Sequence, residues 1–163
     1  MRTFPSAAQI SLPSIWMMFA AILMGACGER ERTGNIKQTF RSTVDIHLDA
    51  ITTRNLTKLE PTVAEQVTMI GPDGTKLDTK GVFMDFHKKW FAQKNWEWKG
   101  KILITENSDS LGYALVQYQF TQKDTTGNIT FQDNEYLILI FKNFPEGWQL
   151  MHDQNTQIQE LNN

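Results

Sequence analysis

The second half of the sequence contains four long strand-like segments, and their number and spacing limit the fold more than any other feature. The linkers between them are short and rich in Asn, Asp, Ser, Gly or Pro, which are the residues that favour tight turns. Strands joined by such turns pair in antiparallel fashion, so this half predicts an antiparallel meander. The four predicted strands cover residues 96–106, 111–123, 129–144 and 148–158.

The first half is dominated by helical patterns. Apolar residues from Ile36 to Ile51 recur every three or four positions and predict a helix over 35–53. Asn55 is placed to cap a short second helix that Pro61 ends, and a third apolar stripe predicts a helix over 81–95. A strand over 63–70, the turn 71–74 and a short hairpin arm over 76–79 lie between the second and third helices.

Helices that precede a run of antiparallel strands are typical of the α+β class, with the helices on one face of the sheet. The chain has 163 residues, of which 40% are hydrophobic and 21% are charged, which fits one folded domain. A net charge of −2 supplies no basic surface for phosphates. Nucleic acid is therefore excluded as an expected partner.

The N-terminal region predicts export. Arg2 precedes an uninterrupted apolar run over 15–26, which stops at Cys27 and is followed by charged residues. This run is shorter than the roughly 20 residues that a membrane-spanning helix needs and has the length of the apolar part of a secretory signal peptide. An ordinary secretory peptide and an uncleaved membrane anchor are two interpretations of this run. The residues around Cys27 suggest a third, a lipoprotein signal peptide.

Cys27 is the only cysteine, so it cannot form an internal disulfide. Residues 23–27, Leu-Met-Gly-Ala-Cys, resemble the bacterial lipobox, although Met24 replaces the usual leucine. This resemblance implies a lipoprotein signal peptide over 1–26, a lipidated Cys27 with a tether over 27–35, and a domain over 36–163. It also implies a bacterial cell-envelope protein held at a membrane by diacylglyceryl and amide-linked acyl chains such as palmitate. The sequence leaves open which membrane holds it.

Two of the predicted strands are apolar on both faces, at residues 136–141 and 102–104. Helices bury only one face of such a sheet, so the other apolar face must be buried by another part of the chain or by a second subunit. We expect a homodimer formed through this outer face. Coverage by the C-terminal tail is the alternative.

Four segments together resemble the SnoaL-like members of the NTF2-like superfamily: residues 51–59, residues 67–74, Gly81 before a helix, and the closing strand 147–156. The resemblance covers the whole predicted domain. It implies a cone in which a strongly curved antiparallel sheet wraps the N-terminal helices and leaves a pocket. Two departures, Gln66 and Gln154, replace titratable residues that are common in the family.

The resemblance leaves several functions open. The leading expectation is that the domain binds a small apolar or aromatic ligand, or a protein partner, without catalysis. The alternative is an enzyme of the SnoaL and ketosteroid-isomerase type that performs general acid/base chemistry in the pocket. A scaffolding subunit of an envelope complex is the third possibility.

The candidate site residues are chosen by the side of the helix or strand on which they lie and by their match to the family pattern. His152 matches the family's histidine position and is predicted to share a strand face with Trp148, Leu150 and Gln154, which makes it the first choice for a polar group of the pocket. His47 lies on the apolar stripe of the first helix and is predicted to point toward the core or the pocket. Both are candidate general bases, and a satisfied core histidine is the alternative for His47. The spacing of histidines and the single cysteine predict no metal site, and no cofactor is expected. The predicted ligand-binding residues are His47, Trp90, Tyr118, Trp148 and His152.

Three acidic residues are predicted to lie away from the chemistry. Asp133 and Glu135 are near a hairpin and are expected to be solvated, and Asp153 is expected to point away from the face that carries His152. The aromatic residues as a group fit either a ligand-binding wall or an ordinary core.

Overall fold

The computed structural model describes residues 38–159. The predicted signal peptide over 1–26, Cys27 and the tether over 27–35 lie outside the described residues. Within the described part, no helix combines the length and the apolar character that crossing a membrane requires.

Three α-helices form at the predicted places: α1, Phe40–Thr53; α2, Leu56–Leu59; and α3, Lys80–Ala92. Thr39 caps α1 by accepting the Ser42 amide at 3.2 Å, so the helix begins at Phe40 and not at residue 35. Arg54 ends α1 in the left-handed conformation at φ 56°. Asn55 then caps α2 as predicted, and a 3₁₀ turn, Glu60–Thr62, carries the chain into the sheet.

Six strands form one sheet in the order β2-β1-β6-β5-β4-β3. The predicted strand bounds are confirmed to within one residue over the meander, because Asn, Asp, Gly and Pro mark each turn. The strands are β1, Val63–Ile70; β2, Lys76–Asp78; β3, Trp96–Asn107; β4, Leu111–Lys123; β5, Ile129–Phe144; and β6, Gly147–Gln157.

The sheet is mixed, which corrects the prediction of a purely antiparallel sheet. β1 pairs with β6 in parallel, and the other neighbouring strands pair in antiparallel fashion. β1 and β6 are connected through β2, α3 and the meander, a connection long enough to allow parallel pairing. Register shifts within β3, β5 and β6 are β-bulges, which bend strands and help the long sheet to curve without closing.

The helices pack against the concave face of this curved sheet, and the core lies between them. Phe40, Val44 and Phe83 from the helices meet Leu139, Phe141 and Leu150 from the sheet, all of them buried. The α+β cone that the sequence predicts is confirmed. One end of this core does not close completely, and a cavity remains there.

Candidate functional site

A cavity of about 210 Å³ lies between α1, α3 and the inner face of the sheet. Its walls are mainly aromatic and aliphatic, and it has no lysine or arginine among its lining residues. Titratable or amide side chains also reach it from five elements: His47, His87, Tyr118, Glu135, Asp153 and Asn155. The apolar part of the lining consists of Ile51, Met69, Pro72, Phe86, Trp90, Trp98, Phe120 and Leu137.

A bulge at Met151 decides which residues of β6 face this cavity. Phe141 pairs with Leu150 and Ile140 pairs with His152, so Met151 is an extra residue on β6. Counting it as a regular strand position reverses the assignment of every later side chain. Asp153 therefore faces the concave side, with its cross-strand neighbour Leu139, while His152 lies on the convex side with Ile140.

Four polar side chains form a chain of hydrogen bonds along the cavity wall. The Tyr118 hydroxyl contacts the Glu135 carboxyl and lies 2.8 Å from Asn155 Oδ1. Asn155 Nδ2 donates to Asp153 Oδ1 at 2.8 Å and to the carbonyl of Ile70 at 3.2 Å. One hydroxyl proton cannot serve both Glu135 and Asn155. Every contact is satisfied when a protonated Glu135 donates to Tyr118 and Tyr118 donates to Asn155.

Burial favours the neutral forms of these acids. It raises the pKa of Asp153 to about 7, against a partly opposing hydrogen bond from Asn155. Burial also raises the pKa of Glu135, and burial together with the Glu135 carboxyl raises the pKa of the Tyr118 phenol. Among the described residues, no lysine or arginine forms an ion pair with either carboxyl group.

Two histidines line the cavity as neutral imidazoles. His87 Nδ1 lies 2.8 Å from the Phe83 carbonyl, which can only accept, so Nδ1 carries the proton. His47 Nδ1 lies 2.8 Å from Thr62 Oγ1, whose own proton goes to the Leu59 carbonyl, so His47 also donates through Nδ1. Burial lowers the pKa of His47 to about 3 and that of His87 to about 4. Each therefore keeps an acceptor lone pair on Nε2 at neutral pH.

The aromatic wall is held in place by ring stacking. Trp90 from α3 stacks on Trp96 with centroids 4.4 Å apart, and the Trp96 indole donates to the Trp90 carbonyl. Trp98 stacks on Tyr118 at 5.2 Å, and its ring covers Gly100, where a Cβ would overlap it. Trp96 and Trp98 share the inner face of β3, as their spacing predicts.

Three of the five predicted ligand-binding residues meet at the cavity, namely His47, Trp90 and Tyr118. The other two do not line it. Trp148 packs in the core against Phe40 at a centroid distance of 5.1 Å. His152 is half-buried on the convex face, with Nε2 3.4 Å from Gln154 Oε1, so the predicted shared face with Trp148 and Leu150 is wrong because of the bulge.

Sequence reasoning missed three residues of the polar chain. Glu135 is 5% exposed and not solvated as predicted, because it pairs across the sheet with the inward-facing Tyr118. Asp153 is 6% exposed, and Asn155 lies two residues further along the same face. The alternating apolar pattern of Leu137 and Leu139 on the neighbouring strand is the signal that identifies their face, once the bulge is known. No group of three or more His, Cys, Asp or Glu arranged to hold a metal occurs among residues 38–159.

No protein-family model matches the sequence, and no curated protein matches it. Solved structures match its fold. A ketosteroid isomerase-like protein from Erwinia carotovora atroseptica has a TM-score of 0.62 and 14% identity, and the match covers 74% of this chain and 94% of that one. A protein from Streptomyces avermitilis named as a dehydratase of the NTF2-like family has a TM-score of 0.61 and 10% identity, covering 72% and 93%.

A third match is a protein from Thiobacillus denitrificans named as a calcium/calmodulin-dependent protein kinase type II association domain. Its TM-score is 0.62 with 15% identity, and the match covers 76% of this chain and 98% of that one. The fold is an NTF2-like cone. Because proteins with different roles share this fold, it does not by itself determine the activity of this chain.

Proposed function

We propose that the chain binds a small ligand with a compact aromatic or apolar body in the cavity between α1, α3 and the sheet. The observation that carries this proposal is the composition of the cavity wall, in which indole and phenyl rings surround a short chain of buried polar groups. Mostly apolar walls with a few placed polar groups are typical of ligand sites.

The size of the cavity limits the ligand. A volume of about 210 Å³ is below the roughly 300–1,000 Å³ of pockets for drug-sized molecules. A single ring with a short substituent therefore fits better than a fused polycyclic compound.

Filling the cavity tests the proposal. Leu137 lines the cavity from β5, and its neighbour Ile138 faces the convex side. Leu137→Phe is expected to weaken binding of a one-ring probe such as benzyl alcohol by about tenfold or more, because the added ring occupies its space. Ile138→Phe is the matched control and should leave the affinity unchanged. Equal affinities for both variants in a ligand titration by NMR would contradict the proposal.

Proton transfer is the second candidate function, and one observation favours it. Asp153 has a pKa of about 7, and its Oδ2 makes no hydrogen bond with any described residue. A carboxylate with that pKa in an apolar wall is suited to act as a general base near neutral pH. His47, with a pKa of about 3, is a weaker base near neutral pH, and His152 does not line the cavity. Asp153 therefore replaces these two histidines as the candidate general base.

Deuterium exchange tests this second candidate. A base that removes a proton next to a carbonyl should catalyse deuterium incorporation from heavy water into a small ketone such as 2-cyclohexenone. Asp153→Asn is expected to abolish the catalysed exchange and to leave ketone binding within about threefold. Wild-type exchange at the buffer rate would reject catalysis of this kind while leaving ligand binding intact.

We propose further that the chain is a homodimer formed through the convex face of the sheet. The proposal is supported by large apolar side chains on the convex face that are 38–44% exposed in the single chain: Ile104, Tyr113, Tyr136 and Ile138. Apolar patches of this kind mark protein interfaces. Ile138→Lys should convert the dimer to a monomer in sedimentation analysis, whereas a monomeric wild-type chain would reject the proposal.

The proposed location is the bacterial cell envelope, with membrane attachment through lipid on Cys27. The support is the lipobox-like sequence and the position of the only cysteine. Cys27→Ser is expected to release the chain from the membrane fraction. Retention of this variant after a salt and carbonate wash would reject lipid anchoring.

A further inference from the structure

We infer that the ligand of this cavity is a small protonated amine, with an ammonium group on a compact aromatic or apolar body. This inference rests on the proposed ligand-binding function and names the class of ligand. It is carried by the chemistry of the free atoms in the cavity wall and by the absence of a lysine or arginine there.

Most of the unused polar atoms on the cavity-lining residues are acceptors, and the indole N–H groups of Trp90 and Trp98 are the donors among them that have no hydrogen-bond partner within residues 38–159. Asp153 Oδ2 and Glu135 Oε1 make no hydrogen bond with any described residue, since each carboxyl uses its other oxygen in the polar chain. The Nε2 atoms of His47 and His87 likewise have no hydrogen-bond partner within residues 38–159, and both carry lone pairs. Four acceptors around one small space favour a ligand that brings N–H donors.

The charges in the wall lead to the same ligand class. Two carboxyl groups are at least nine-tenths buried, and the lining contains no lysine or arginine to neutralise them. The two imidazoles do not supply a positive charge at neutral pH, because burial keeps them unprotonated. An isolated buried carboxylate is costly, and a cation beside it offsets much of that cost. A ligand ammonium would supply the missing positive charge.

The aromatic rings of the wall favour a cation as well. Trp90, Trp98, Phe86 and Phe120 line the same cavity. The faces of indole and phenyl rings attract ammonium groups, most strongly where water is excluded. A neutral ligand of equal shape would make the same apolar contacts. It would lack both the attraction of a cation to the ring faces and the ion pair with the carboxylate.

A matched pair of probes separates charge from shape. Benzylamine is protonated near pH 8, and benzyl alcohol has nearly the same size without the charge. The full-length chain is expected to bind benzylamine about tenfold or more tightly than benzyl alcohol near pH 8. Asp153→Asn combined with Glu135→Gln should reduce the preference to about threefold or less, because neither side chain can then ionise to pair with the ammonium group.

The pH dependence in the wild-type chain provides a test that needs no variant. The titratable groups that line the cavity with Asp153 are His47 on α1, His87 on α3, Tyr118 on β4 and Glu135 on β5, and Asp133 acts on Glu135. Amine binding favours the ionised carboxyl, so benzylamine affinity should rise from about pH 5.5 to pH 8, with release of a proton to the buffer near neutral pH. Benzyl alcohol should show no such rise.

The outcomes distinguish the two levels of the proposal. Equal or tighter binding of benzyl alcohol near pH 8 would overturn the amine inference and leave the ligand-binding function standing. Binding of neither probe would overturn both. A preference for benzylamine that persists unchanged in the double variant would also overturn the inference, because the charge selection would then arise elsewhere.

Discussion

Replacing Asp153 with asparagine is expected to stabilise the fold at neutral and higher pH. Asp153 is buried, and burial raises its pKa from 3.8 to about 7. A raised pKa means that the folded chain holds this proton more tightly than the unfolded chain does. Stability from Asp153 is therefore fully present below about pH 4 and is lost as the pH rises through about 7.

The size of the stability change follows from the difference between the pKa of Asp153 in the unfolded chain and its pKa in the folded chain. About three pH units at roughly 1.4 kcal/mol each give about 4 kcal/mol of stability lost by pH 8. Asparagine cannot ionise, and its carbonyl can still accept from Asn155 Nδ2. Asp153→Asn should therefore match the wild type near pH 4 and exceed its free energy of unfolding by about 4 kcal/mol near pH 8.

Urea unfolding of both chains near pH 4, 6 and 8 measures this difference, and Asp78→Asn provides a matched control. Asp78 is exposed on β2, and hydrogen bonds from Lys76 and Thr68 lower its pKa, so its contribution has the opposite sign with pH. Equal pH profiles for Asp153→Asn and the wild type would refute the reasoning. They would mean that Asp153 is solvated or already paired with a cation in the folded chain.

Three further predictions concern the cavity wall. The ring carbons of His47 and His87 should show no NMR titration between about pH 5 and 8, because burial holds their pKa values near 3 and 4; a midpoint near 6.5 for either would contradict its burial. Tyr118→Phe should lower the free energy of unfolding by about 1–3 kcal/mol in urea titrations, since its partners lose a buried hydrogen bond, and an unchanged midpoint would argue against the polar chain. Gly100→Ala should displace the Trp98 ring and shift the tryptophan emission and probe affinity together, whereas an unaltered spectrum would show that the ring does not cover this glycine.

The order and bounds of the elements were predictable from the sequence because their signals are local. Turn residues mark each end of the meander strands, and Asn55 caps the second helix through its own side chain. The parallel pairing of β1 with β6 has no such signal. It joins segments more than 80 residues apart, such as Ile70 and Gln154, through β2, α3 and the whole meander.

The site was harder to predict than the fold because one bulged residue decides which side chains of β6 lie on the concave face of the sheet. Simple alternation places His152 inside and Asp153 outside, and Met151 reverses that assignment. Tyr118 was predictable because β4 alternates regularly, with Ala114 and Val116 buried on the same face. Glu135 was missed because nearness to a hairpin is a weaker guide to burial than its cross-strand partner.

Native mass spectrometry of the chain purified from its own host tests the central claim most directly, which is that the cavity is a working ligand site. The wild type and Ile138→Phe are expected to retain the same small-molecule mass, and Leu137→Phe is expected to lose it. A ligand-free wild-type chain, or a mass that Leu137→Phe retains equally, would contradict the assignment of function to this cavity.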